Sequence, residues 1–99
     1  MRVMVIVKGV ELEEADIENV LKDIDAHGIP SRRRSKGFCL RKRGNHYPPK
    51  LVLLRAWSAK SGKKDSGFRG GKRTNKPLQD LHYTVVPCQC GGKGITVVP

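Results

Sequence analysis

HYPPKLVLLRAWSAK, residues 46–60, is the stretch whose reading decides the architecture. Proline is tolerated in a helix only within its first turn, because it lacks the N–H that later positions need. Two adjacent prolines ahead of an apolar run therefore place a helix start near Pro49 and carry the helix to about Lys60. Leu51, Val52, Leu54, Ala56 and Trp57 cover too much of its circumference for a surface helix, so most of it is expected to be buried.

Working outward, Arg43-Gly44-Asn45 reads as a turn that returns a short strand, Phe38–Leu40, towards Tyr47. Earlier still, Ile17, Val20, Leu21 and Ile24 recur at i, i+3, i+4 and i+7 and predict an amphipathic helix from about Glu13 to Ala26. Its acids sit in the first turns, where the helix dipole favours them, and His27-Gly28-Ile29-Pro30 stops it. RVMVIV, residues 2–7, reads as a strand rather than a signal peptide, being short and without a small-residue cleavage site. Downstream, residues 61–67 form a polar loop, residues 75–82 a short helix with Thr74 or Asn75 as its N-cap, and Tyr83–Val86 a strand. The composition changes at PCQCGGKGITVVP, so residues 1–87 are taken as the domain and residues 88–99 as a tail or the start of a further unit. The expected fold class is α+β: a small single domain with a few short strands, about three helices, and basic loops forming one face.

Charge narrows the function. The net charge is +11 over 99 residues, and from Ser31 to Lys76 sixteen Lys/Arg face a single acid, Asp65. Seven of the nine acids precede that stretch, so the chain is polarised as well as basic, which suits a polyanion-binding surface. With only five aromatic residues, stacking on successive bases is not the expected mode of binding. No apolar run approaches a membrane span, and three cysteines, an odd number, fit a reducing cytoplasm better than a disulfide framework.

Three basic segments carry the candidate chemistry. In SRRRSK, Arg32, Arg33 and Arg34 each offer a planar donor fork to phosphate oxygens and Ser35 adds a hydroxyl; a solvated charge run is the plainer alternative. In HYPPK, the Tyr47 ring and two proline rings make a rigid apolar wall beside a helix N-terminus, which favours anions; a proline-capped helix with a core tyrosine explains the same residues. In FRGGKRTN, Gly70 and Gly71 allow close approach of another backbone, while Arg69, Lys72 and Arg73 reach phosphates or guanine edges. This is not a P-loop, since the glycine spacing and the Gly-Lys-Ser/Thr ending are missing. Cys88 and Cys90 form half a zinc knuckle, but Cys39, His27, His46 and His82 supply no second pair at matching spacing, so no metal or other cofactor is expected. No nucleophile–base arrangement or catalytic carboxylate pair is evident, and the chain reads as a binding module rather than an enzyme.

The order DIDAHGIPSRRRS, HYPPKLVL, FRGGKRTNKPLQDLHYTVV resembles the sulfur-binding domains of phosphorothioate-dependent, McrA-like type IV restriction endonucleases over roughly residues 13–87. The shared hallmarks are an Arg-Ser ending the first basic loop, YPPK opening a helix, and GG-x-x-TN before a short helix and strand. The resemblance implies recognition of double-stranded DNA in which sulfur replaces a non-bridging phosphate oxygen. It implies a cavity walled by Tyr47 and Pro48, with Leu51 one turn into the helix and Arg34, with Arg33 as a second candidate, supplying the charge complement at its edge; Ser35 would add a hydroxyl donor in the same loop. Arg69, Gly70 and Gly71 would approach the bases, and Lys72, Arg73, Thr74 and Asn75 would hold the backbone. Leu51 is bulkier than the alanine expected there, and no HNH nuclease follows, so a nuclease would be fused or recruited in a restriction or defence setting. A sequence- or methylation-dependent DNA reader and a general RNA-binding protein are the alternatives. Base preference and oligomeric state are not encoded legibly.

Overall fold

The computed structural model describes residues 4–7, 9–30, 37–42, 44–62, 72–87 and 97–98. Two strands, β1 (Met4–Val7) and β2 (Val10–Glu13), form an antiparallel hairpin, with Gly9 at φ +79° in its turn. The helix α1 (Glu14–His27) follows at once; the Asp16 carboxylate accepts the Glu13 N–H at 2.8 Å and ties down its first turn. Ile17, Val20, Leu21 and Ile24 are all buried, as their spacing predicts. At the other end Gly28, at φ +77°, donates its N–H to the Ile24 carbonyl at 2.7 Å.

After the two-residue strand β3 (Ile29–Pro30) come β4 (Phe38–Lys42), β5 (Asn45–Tyr47), α2 (Pro49–Ser61), α3 (Lys72–Asp80), β6 (Thr84–Pro87) and the two-residue β7 (Val97–Val98). The central sheet is antiparallel in the order β5-β4-β6, and β7 runs parallel to β3. The fold is α+β, with α2 at its centre: α1, α3, β2 and β4 all pack on it. Leu51, Val52, Leu53, Leu54, Ala56 and Trp57 are buried, so α2 is apolar on most of its circumference. The indole Nε1 of Trp57 donates to the Val7 carbonyl at 3.0 Å and so fastens α2 to β1.

Two expectations need correction. The hairpin partner β2 was not foreseen, although Lys8-Gly9 between two alternating runs is a turn signal. The helix expected over residues 75–82 begins instead at Lys72 and ends at Asp80, so neither Thr74 nor Asn75 is its N-cap. Both lie inside it, and Pro77 falls in its middle rather than its first turn. Burial explains the outcome: Leu78 and Leu81 are 0% and 1% exposed, and packing them outweighs the one hydrogen bond that Pro77 cannot donate.

The end of α3 is a Schellman turn. His82 donates to Gln79 O at 2.9 Å, Tyr83 to Leu78 O at 3.0 Å, and Leu78 and Tyr83 are both buried. His82 occupies the left-handed position at φ +71°, where glycine is normally found. Replacing His82 with Gly should raise the unfolding free energy from urea titration by up to about 1 kcal/mol, whereas His82→Val, β-branched at positive φ, should lower it. Trp57→Phe should cost about 1–3 kcal/mol in the same titration, since it leaves the buried Val7 carbonyl without its donor.

Candidate nucleic-acid interface

Strand register brings the points where residues 31–36 leave and rejoin the described chain to the same end as the Tyr47–Pro49 corner. In the central sheet Leu40 stands opposite Tyr47 and Phe38 opposite Pro87. The start of β4 and the ends of β5 and β6 therefore share one edge, where Gly37 and the Pro48-Pro49 corner lie. Helices α1 and α2 run antiparallel, as the pairs Asp23–Arg55 and Asp16–Lys60, both at 3.8 Å, require. The end of α1, with Gly28 to Pro30, thus lies beside the start of α2. Both points from which residues 31–36 depart, Pro30 and Gly37, consequently flank the Tyr47–Pro49 corner.

The start of α3 reaches the same end by a different route, whereas residues 63–71 leave α2 at Gly62, the end of that helix remote from Pro49. The turn at 81–83 folds α3 back on β6, and Gln79 Nε2 donates across to Val85 O at 3.5 Å. Nine helical residues and four extended ones both span about 13 Å, so Lys72 comes level with Pro87. Residues 63–71, which include Arg69, Gly70 and Gly71, join α3 there.

Individual site residues fare differently. Arg33, Arg34, Ser35, Arg69, Gly70 and Gly71 lie outside the described residues. Lys72, Arg73 and Thr74 form the first turn of α3, and Asn75, also in α3, is buried at 5% exposure. Tyr47 and Leu51 are 1% and 6% exposed and Pro48 is buried, so the residues expected to wall a cavity are part of the core surface beneath this end. Lys50, in the first turn of α2, is exposed, and that turn contains no acid.

The tyrosine has partners that sequence reading did not find. The Tyr47 hydroxyl donates to Asp25 Oδ1 at 2.6 Å, a charge-assisted bond. Asn45 Nδ2 donates to the Tyr47 hydroxyl at 3.3 Å and approaches Asp25 Oδ1 at 3.5 Å. Asp25 is separated from Tyr47 by 22 positions, and no local pattern joins them. Only the expected helix phase, which puts Asp25 next to the buried Ile24, hinted that its carboxylate would lie near the core boundary.

Ion pairing explains where the charge is left over. Glu18 pairs with Lys42 at 3.2 Å, Asp23 with Arg55 and Asp16 with Lys60, so acids of α1 offset cations of β4 and α2. The described residues hold nine Lys/Arg and eight Asp/Glu and are close to neutral; the remaining eleven Lys/Arg and single Asp carry nearly all of the +11. Most of those cations belong to residues 31–36 and 63–71.

Among the described residues no group of three His, Cys, Asp or Glu is placed to hold a metal ion, and no helix is long and apolar enough to cross a membrane. Comparison of the chain with protein-family models, curated proteins and solved structures finds no match. Because Asp25 is exposed and can turn to water, Tyr47→Phe should cost no more than about 1 kcal/mol in urea unfolding. Tyr47→Ala, which empties a core position, should cost about 3–5 kcal/mol.

Proposed function

We propose that the chain is a DNA-binding module that reads phosphorothioate linkages in double-stranded DNA. The observation that carries this reading is that residues 31–36, with four of the surplus cations, leave and rejoin the described chain beside the Tyr47–Pro49 corner of a nearly neutral set of packed elements, with Lys72 and Arg73 opening α3 at the same end. A neutral body with a positive end binds a polyanion in one orientation, and the phosphate contacts supply affinity without reading sequence. Lys72 and Arg73 at the start of α3, and Arg33, Arg34 and Ser35 between β3 and β4, are the residues assigned to the backbone. Arg69, Gly70 and Gly71 approach the bases, with Thr74 and Asn75 supporting them.

Selectivity is assigned to the corner itself. A phosphorothioate keeps its negative charge, but sulfur is larger, more polarisable and less strongly hydrated than oxygen. Ring and aliphatic carbon from Tyr47, Pro48 and Leu51 desolvates sulfur at lower cost than it desolvates oxygen. These three side chains are buried at the core surface of that corner. Leu51 narrows the space relative to a smaller residue. The module performs no reaction; cleavage would belong to a nuclease fused to it or recruited, in a cytoplasmic restriction or defence system.

Fluorescence anisotropy tests the reading with duplexes of identical sequence, plain or carrying one Rp phosphorothioate, across several flanking sequences and two salt concentrations. The sulfur duplex should bind more tightly, and the ratio of affinities should survive added salt. Lys72→Ala should weaken both duplexes alike and reduce the salt slope by about 1, while Pro48→Ala should lower the ratio. Equal affinities for every plain and sulfur pair would sink the sulfur reading, and tighter binding of an RNA hairpin would replace it.

A further inference from the structure

Tyr47 carries one polar atom, and the structure shows what holds it. The hydroxyl proton is directed at Asp25 Oδ1, 2.6 Å away, and Asn45 Nδ2 donates to the oxygen from 3.3 Å. The phenol is thus engaged both as donor and as acceptor. Its partners are Asp25 in the last turn of α1 and Asn45, the first residue of its own strand β5. Asp25 is exposed and Asn45 half-buried, whereas Tyr47 itself is 1% exposed, so the hydroxyl is held where the core meets the last turn of α1. What remains of the side chain is carbon.

That arrangement bears on discrimination. An uncommitted phenol beside a bound phosphate would donate to a non-bridging oxygen, a strong acceptor, and far less well to sulfur, a weak one. It would reward plain DNA. We propose that Asp25 is a specificity-determining positioning residue: by keeping the Tyr47 hydroxyl proton, it leaves the tyrosine only carbon to present and denies oxygen a donor. This rests on the sulfur-selective reading above. An acid is otherwise out of place here, because its charge repels the DNA that the neighbouring segments attract. Its cost falls on plain and modified duplexes equally, whereas the engagement of the hydroxyl affects them differently.

The full chain and three variants separate these effects, using a pool of duplexes randomised around one linkage, either plain or Rp phosphorothioate, with urea midpoints measured on the same samples. Asp25→Ala releases the hydroxyl and should lower the sulfur-to-oxygen affinity ratio about tenfold, the weight of one hydrogen bond, while both absolute affinities rise as a negative charge is lost. Asp25→Asn retains an acceptor for the hydroxyl and should keep the wild-type ratio. The decisive sample is the double variant Asp25→Ala/Tyr47→Phe, in which no hydroxyl remains to be released; its ratio should return to that of wild type. A merely structural role for Asp25 predicts the reverse, with the second substitution adding to the damage. An unchanged ratio in Asp25→Ala, or a double variant no more selective than Asp25→Ala, overturns the proposal while leaving the sulfur reading intact. A wild-type chain without discrimination overturns both, and is recognised before any variant is compared.

Discussion

The thirteen residues of α2 bury side chains in opposing directions, Val52 and Leu53 both completely, so no single layer can cover them. Each such side chain contributes about 1.5–3 kcal/mol when removed from water, which makes enclosure of α2 the largest local demand on the chain. The demand is met by α1 on one side, α3 on another, and β2 and β4 on the rest. The ion pairs Asp23–Arg55 and Asp16–Lys60 are partly exposed, and pairs of that kind contribute about 0–1 kcal/mol each. Burial therefore drives the association of α1 with α2, and the ion pairs bias it towards the antiparallel register.

That register has an electrostatic result. With the acids of α1 laid along the cations of α2 and β4, the packed elements are almost balanced, and self-repulsion from a +11 chain is kept out of the core. Most of the surplus belongs to residues 31–36 and 63–71, between the packed elements. Apolar periodicity builds the body, and the intervening segments hold most of the charge.

Much of this was legible. Period and punctuation located α1, the β4–β5 turn and α2 to within a residue or two, because Gly28, Gly44 and the paired prolines impose backbone geometry irrespective of context. Where tertiary burial overrode a local rule, reading by rule failed. Thr74 and Asn75, good capping residues, argued for a later start to α3, but the helix begins at Lys72 and runs through Pro77, with Leu78 and Leu81 buried. The strand β2 was hidden because its acids, Glu11 and Glu13, run straight into those of α1 and look like helix-start residues. For the candidate site, the three segments and their order were plain in the sequence, whereas the meeting of Pro30, Gly37 and the Tyr47–Pro49 corner depends on strand register and helix packing. The Tyr47–Asp25 bond depends on the meeting of two elements 22 residues apart, which one sequence does not encode locally.

The bond between Trp57 and Val7 has a consequence for the order in which the molecule can be completed. It joins positions 50 residues apart, and the Tyr83 hydroxyl donates to the Glu14 carbonyl across a separation of 69 residues. The β1–β2 hairpin is made first during synthesis, yet a two-stranded hairpin is barely stable alone. Its inner face waits for α2, and the start of α1 waits for the turn after α3. Closing such long loops is slow compared with winding a helix, so this small protein is expected to fold as one late, cooperative event rather than from its N-terminus forward.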